Sequence, residues 1–485
     1  MHFSKKWLLV FFTITGILSF TSCKQTVKES RDGNKNTIEE EIVNFDLDKI
    51  KERGSLRALV DNSSTSYFIY KGQLMGYEYE LLTLLAHELG VDLEIIVTKS
   101  IDDAFRSLNK GEGDIIAFTL TVTKERQSRV AFTHAHYTTR QVLVQKNPDN
   151  WRSMKKHEIE KALIRNQVDL IGKEVHVRKS SSYVDRLKNL SEEIGGDIIV
   201  IEDEKDVETE LMIRKVYNEE IAYTIADEDI ALVNTSYYPD IDISTPISFP
   251  QQIAWAVRKN ATELLNTINH WQAELKKEPT YNVIYNKYYN SPRASKARLT
   301  SDFSSISGEK ISVYDGIIKQ AADSLGWDWR LLAAQIYQES VFNPSDTSWA
   351  GAIGLMQIMP ETGKRYQTYN LTNPKQNVMA GMRHLKHLNS LWAKTIEDEQ
   401  ERLKFILASY NVGLGHVIDA RELAKKYNKN PTSWEGNVAL YLQNKSKPKY
   451  FNDSVAKSGY CRCEEPVNYV KNVLSRYEQY KQLMD

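Results

Sequence analysis

The chain has 485 residues, with 63 lysines and arginines against 64 aspartates and glutamates. That length is too great for one ordinary core, so two or three domains are expected. The balanced charge gives no support for nucleic-acid binding, and 3 cysteines build neither a disulfide scaffold nor a zinc domain. No metal and no cofactor are expected.

Lys5-Lys6 is a basic start, and residues 7–20 are apolar but too short to span a bilayer comfortably. Thr21-Ser22-Cys23-Lys24 follows, and small residues before a single cysteine resemble a bacterial lipobox. Phe20 stands where the pattern usually has Leu. The resemblance implies that residues 1–22 are a signal peptide removed before Cys23, and that Cys23 is lipidated and holds the protein to a membrane. A plain signal peptide with an incidental cysteine is the alternative. Lys24, rather than an aspartate, points to the outer membrane, with the protein facing the periplasm. Residues 24–41 are polar, charged and without periodicity, and residues 23–45 read as lipid anchor and flexible tether.

From about residue 47, strand and helix patterns alternate. Residues 56–60, 91–97 and 115–118 read as strands. Residues 78–89 read as a helix with Leu81, Leu82, Leu85 and Leu89 on one face and Gly90 as its stop. Residues 102–108 read as another. Such alternation implies a parallel α/β sheet.

The segments Gly54-Ser55-Leu56-Arg57, Gly76-Tyr77-Glu78-Tyr79-Glu80-Leu81, Leu108-Asn109-Lys110-Gly111-Glu112-Gly113-Asp114-Ile115 and Thr121-Val122-Thr123-Lys124-Glu125-Arg126 occur in order. This succession resembles family 3 extracellular solute-binding proteins. The resemblance implies two α/β lobes joined by a hinge over residues 46–290, with the second lobe at about 147–246 and a ligand between the lobes. In amino-acid-binding members, residues matching Thr121 and Arg126 hold a ligand carboxylate, which suits the two parallel donors of a guanidinium. Asp227 stands where an ammonium partner is expected, and donors are expected near Ser180 to Ser182. A surface ion pair for Arg126 and a solvated acidic turn for Asp227 are the plainer readings. An amino acid or muropeptide is the implied ligand. Ser291-Pro292-Arg293-Ala294-Ser295 reads as a helix breaker, and residues 291–310 as a linker.

Beyond it the period becomes helical. Residues 313–325 read as one helix stopped by Gly326, and Asp328 as the N-cap of the next. Leu332, Ile336 and Glu339 then share a stripe, so an acid is carried on a buried face, and Pro344 ends the helix just beyond it. A carboxyl against apolar surface has a raised pKa, as a general acid at neutral pH requires. A structural carboxylate is the plainer alternative on position alone.

Glu339-Ser340, Gly354-Leu355-Met356-Gln357, Ser409-Tyr410-Asn411-Val412-Gly413 and Glu465-Pro466-Val467-Asn468-Tyr469-Val470 resemble the ordered motifs of family 1 lytic transglycosylases. The resemblance implies a mainly α, lysozyme-like domain over 311–485 that cleaves peptidoglycan glycan strands. It implies Glu339 as sole acid/base, with Ser340, Met356, Gln357, Tyr410, Asn411 and Tyr469 around the sugars. Most glycosidases use two carboxylates; none beyond Glu339 stands in the Gly354 or Tyr410 motifs, so a 1,6-anhydro product is expected. Cys461-Arg462-Cys463 is too closely spaced for an easy disulfide and reads as free thiols, while His384 and His387 lack partners for a metal. A lipid-anchored receptor whose C-terminal domain only docks on the cell wall is the competing reading, and a true hydrolase a third.

Overall fold

The computed structural model describes residues 42–203 and 208–484. Cys23 and the preceding segment lie outside the described residues.

The first lobe is built on a five-stranded sheet in the order Asp92–Val97, Ser55–Val60, Ile115–Ile116, Ala256–Val257, Ala131–Phe132. Leu56, Ala58, Leu59 and Val60 of the second strand are all fully buried, because helices cover both faces of the sheet. The helix Tyr77–Leu89 supplies Leu81, Leu82 and Leu85 to one face. Ile101–Lys110 supplies Ala104, Phe105 and Leu108 to the other. At the lobe's base Arg258 and Asp114, both fully buried, pair at 3.2 Å. The guanidinium also donates to the carbonyls of Phe45 and Leu108, so little of the buried charge is left unpartnered.

The second lobe has the order Ile199–Asp203, Glu174–Arg178, Tyr223–Asp227, Gln141–Lys146, Ile241–Pro246. Gln141–Lys146 already belongs to this sheet, so the lobe begins earlier than the expected residue 147. Val142 and Val144 face one apolar cluster and Leu143 the other, which fixes this strand in the middle of the layer. Neither sheet is wholly parallel: Gln141–Lys146 runs antiparallel to both its neighbours, as does Ala256–Val257 of the first lobe. The chain crosses between the lobes in extended strands, not through a helix, so it enters the second sheet against the direction set by its strand–helix–strand units. The two crossings, Tyr137–Thr139 and Gln251–Ile253, pair antiparallel and form the hinge.

The segment expected to break and link is ordered. Pro292–Leu299 is a helix with proline at its start, where the missing N–H is not needed. The chain then adds to the edge of Phe68–Tyr70: the Lys71 N–H donates to the Phe303 carbonyl (2.8 Å), and the Ser305 N–H to that of Ile69 (3.0 Å).

The C-terminal domain is helical. Its central helix, Trp329–Ser340, is capped by the Asp328 side chain, which accepts from the Arg330 N–H at 2.9 Å. Leu331 through Ile336 are buried without a break. The helix packs along the C-terminal helix Glu464–Leu483, and Pro374–Trp392 and Glu399–Val412 complete the body. Pro344 was expected to end the central helix. It ends sooner, at Val341 and Phe342, which take left-handed φ values of 50° and 60°. That conformation is costly for a β-branched residue.

One apolar core runs without interruption from the first lobe into the helical domain. Gly72, in the turn after Phe68–Tyr70, accepts from the Tyr480 hydroxyl at 2.6 Å and from Arg476 at 3.3 Å. Arg476 lies 3.9 Å over the Tyr337 ring. Lys471 pairs with Asp92, and Gln482 accepts from the Val97 N–H at 2.9 Å. Among the described residues no helix is long and apolar enough to cross a membrane.

Candidate active site

Glu339 is the penultimate residue of the central helix and is half-buried. Its Oε1 accepts from the Tyr469 hydroxyl at 2.5 Å. Burial disfavours the charged form and pushes its pKa up to about 7, while the Tyr469 hydrogen bond pulls the other way. Burial and the neighbouring carboxylate raise Tyr469 well above its ordinary value, so its hydroxyl keeps its proton and remains a donor.

The glycine-rich turn is tied to this helix from below. Ser340 Oγ donates to the Leu355 carbonyl at 2.8 Å. Asn377 on the next long helix accepts from the Met356 N–H at 2.8 Å and donates to the Ile353 and Leu371 carbonyls at 2.7 and 2.8 Å. Gly354 has φ 82°, and a Cβ there would lie 2.4 Å from the Leu371 carbonyl oxygen, so only glycine fits. The Tyr410 hydroxyl donates to the Met356 carbonyl at 2.7 Å.

These contacts divide the expected residues. Tyr469 and Tyr410 stand close to Glu339, Gln357 lies in the turn, and Asn411 shares a cavity with Tyr469. Asn411 and Tyr469 line a cavity of about 420 Å³, with Gln338, Arg462, Glu465 and Asn468. Gln357 takes a left-handed φ of 47° and donates to the Gly354 carbonyl at 3.0 Å. Met356 and Ser340 are placed differently from the expectation. Met356 is fully buried against Gly381, and the Ser340 hydroxyl is taken up by backbone carbonyls, because both face the body of the domain.

Nothing in the spacing of Asn377 marked its three hydrogen bonds. Glu464 and Glu465 were also missed as cavity carboxylates. They are exposed in the first turn of the C-terminal helix, whereas Glu339 is half-buried. Cys461 and Cys463, expected as free thiols, form a disulfide. The turn at Arg462 brings their Cα atoms to 5.1 Å, within the span a disulfide bridges. His416 approaches both sulfurs. His384 packs on Tyr410 and meets the Tyr366 hydroxyl at 3.3 Å.

Between the lobes, Thr121, Arg126 and Asp227 are buried and line one cleft with Asp61 and Arg178. Its volume is about 40 Å³, room for water but not for an amino acid. Arg126 donates to the Thr121 and Ser180 carbonyls at 3.0 and 3.4 Å. Cross-lobe contacts hold the cleft shut. Ser182 donates to Thr121 Oγ1 (3.2 Å) and Ser180 to Asp102 (2.7 Å), and Glu210 accepts from both the N–H and the hydroxyl of Ser64 (3.1 and 2.9 Å). Asp227 is raised well above the usual carboxylate range by burial and by Asp229, against the pull of Arg126.

The two halves match two family models: bacterial extracellular solute-binding proteins, family 3, over residues 56–291, and the transglycosylase SLT domain over 316–433. Fold and site thus define a lytic transglycosylase domain joined to a solute-binding-like module. A membrane-bound lytic murein transglycosylase F of Desulfosudis oleivorans is 36% identical, over 90% of this chain and 91% of the relative. Proteins of the same name from Alkalilimnicola ehrlichii (there numbered F 1) and Pseudomonas fluorescens Pf0-1 are 31% and 30% identical, each over 89% of this chain and covering 84% and 86% of theirs. The chain belongs to the membrane-bound lytic murein transglycosylase F family. Among solved structures, the P235GK mutant of ArgBP from T. maritima matches 50% of this chain and 99% of its own, at 27% identity and TM-score 0.43.

Proposed function

We propose that Glu339 alone serves both proton transfers in a non-hydrolytic cleavage of the MurNAc–GlcNAc β-1,4 bond of peptidoglycan. The observation that carries this is the Glu339–Tyr469 pair: a carboxyl with a pKa of about 7, fixed by one hydroxyl. Protonated Glu339 gives its proton to the glycosidic oxygen as the bond to C1 breaks, and the substrate N-acetyl group stabilises the oxocarbenium-like centre. The resulting carboxylate takes the proton of the MurNAc C6 hydroxyl while O6 attacks C1. The product is a 1,6-anhydro end, and no water is consumed. Tyr410, Asn411, Gln357 and Tyr469 contact the sugars, while Ser340 and Met356 support the turn from beneath.

Glu465 in the cavity favours one competing reading, a hydrolase in which a second carboxylate activates water. Product analysis of Glu465→Gln separates the two. The single-acid reaction still yields anhydro ends, whereas a two-carboxylate hydrolase loses its reducing-end product.

The module at 46–290 is proposed to bind an amino acid or muropeptide through Thr121, Arg126 and Asp227 once the lobes part. The domain at 311–485 carries the reaction, and residues 291–310 join the two. Closure of the lobes on the ligand would bias the Glu339 cleft through the shared core. Equal activity with and without a saturating ligand would sink that coupling. Lipidation at Cys23 would hold the enzyme at the outer membrane, facing the periplasm; the mass of the mature N-terminus tests it.

A further inference from the structure

Arg462 stands between the two bridged cysteines and is exposed to the cavity that Tyr469 lines. Among the described residues its guanidinium makes no hydrogen bond or ion pair. The segment that carries it is fixed at two points. At one end Cys461 and Cys463, both buried, close a small ring and abut His416. At the other, Asp419 accepts from the fully buried Lys445 ammonium at 2.6 Å and from the Lys457 and Ser458 N–H groups at 2.9 and 2.7 Å. The backbone of Arg462 is therefore held while its charged end is left unpartnered. The backbone ordering is thus done before a ligand arrives, and only the side chain remains to be ordered on binding.

The cavity holds one guanidinium and two carboxylates, Glu464 and Glu465. The sugars of a peptide-capped strand carry no charge, since the lactyl group is then an amide. Fixed charges of both signs have no counterpart on such sugars. A short peptide substituent bearing carboxylates and an ammonium does supply them, and an arginine fork is matched to a carboxylate. This inference rests on the reading of the substrate as peptidoglycan strands. We propose that Arg462, positioned by the Cys461–Cys463 bridge, is a specificity residue that binds a free carboxylate on the peptide substituent of the strand being cleaved.

The test measures binding in the Glu339→Gln background, so that it does not depend on how the reaction proceeds. Soluble peptide-bearing strands are used, either native or with their carboxylates converted to amides by carbodiimide and ammonia. The proposal predicts that Glu339→Gln protein binds native strands about tenfold or more tightly than amidated ones. In Glu339→Gln/Arg462→Gln the two affinities converge on the weaker value. A preference that survives loss of Arg462 overturns the proposal and assigns carboxylate recognition elsewhere, as does the absence of any preference in the parent. Dithiothreitol, which passes two electrons and two protons to the bridge as it cyclises, tests the positioning directly. Reduced protein, with two thiols confirmed by mass, should lose most of the preference. Full retention would show that the bridge does not position Arg462. The conservative Arg462→Lys keeps the charge without the fork and should recover only part of the discrimination.

Discussion

Tyr469 and Glu339 lie 130 positions apart in sequence, yet the tyrosine hydroxyl donates to the carboxyl at 2.5 Å. Two helices meet to make this contact, and it opposes the burial that drives the carboxyl up to about 7. Tyr469 therefore sets how easily Glu339 gives and takes back its proton.

Tyr469→Phe removes the donor that favours the carboxylate. The Glu339 pKa then rises further, because the carboxylate loses the hydrogen bond that favoured it. Activity that requires protonated Glu339 falls as pH rises through that pKa. The descending limb of kcat/KM against pH should move to higher pH in Tyr469→Phe, with a lower maximum. A shift to lower pH would contradict the assignment.

The same group couples folding to pH. The folded-state pKa of about 7 lies above the ordinary value of 4.5, so the folded protein holds this proton more tightly than the unfolded chain does. Relative to the protonated state, stability is complete below about 4.5 and is lost as pH rises through 7. Glu339→Gln has no charge to bury. It should match wild type near pH 4 and exceed it by about 3 kcal/mol at pH 8. Thermal unfolding at both pH values checks this; a destabilised variant at pH 8 would count against the buried-acid account.

Asn377→Ala deletes three hydrogen bonds that hold the turn around Met356. Leaving the Met356 N–H and two carbonyls unpaired should cost about 2–4 kcal/mol. Turnover should fall with it, because the turn supports Gln357 and receives Tyr410. Unchanged turnover in a folded Asn377→Ala protein would show that the turn need not be held so closely.

Gly72 joins the domains, with φ 77° and the Phe342 ring 2.4 Å from where a Cβ would stand. Gly72→Ala adds left-handed strain of about 1 kcal/mol and an overlap with that ring. The interface should loosen, and calorimetry should resolve two unfolding transitions where the wild type, with its shared core, shows one.

Much of this arrangement was legible in the sequence because local periodicity produced it. The leucine stripe and Gly90 gave the helix Tyr77–Leu89, and Asp328 capped the helix that carries Glu339. The ordered motifs brought Glu339, Tyr410 and Tyr469 to one place. What was not legible depended on packing across the chain. Nothing local distinguishes a Met356 that faces sugar from one that packs under Gly381. Strand Gln141–Lys146 took its direction from the hinge, which lies outside its own residues. Pro292 looked like a breaker because its position relative to the helix start cannot be read from composition. The Cys461–Cys463 pairing depended on a turn at Arg462 that residue spacing does not reveal.

The most direct test of the central claim is the mass of the muropeptides released from purified sacculi. A single-acid transglycosylase predicts anhydro-MurNAc ends, lighter by one water than reducing ends, from wild type and none from Glu339→Gln. Release of reducing MurNAc ends by the wild type, or equal release by the two proteins, would contradict it.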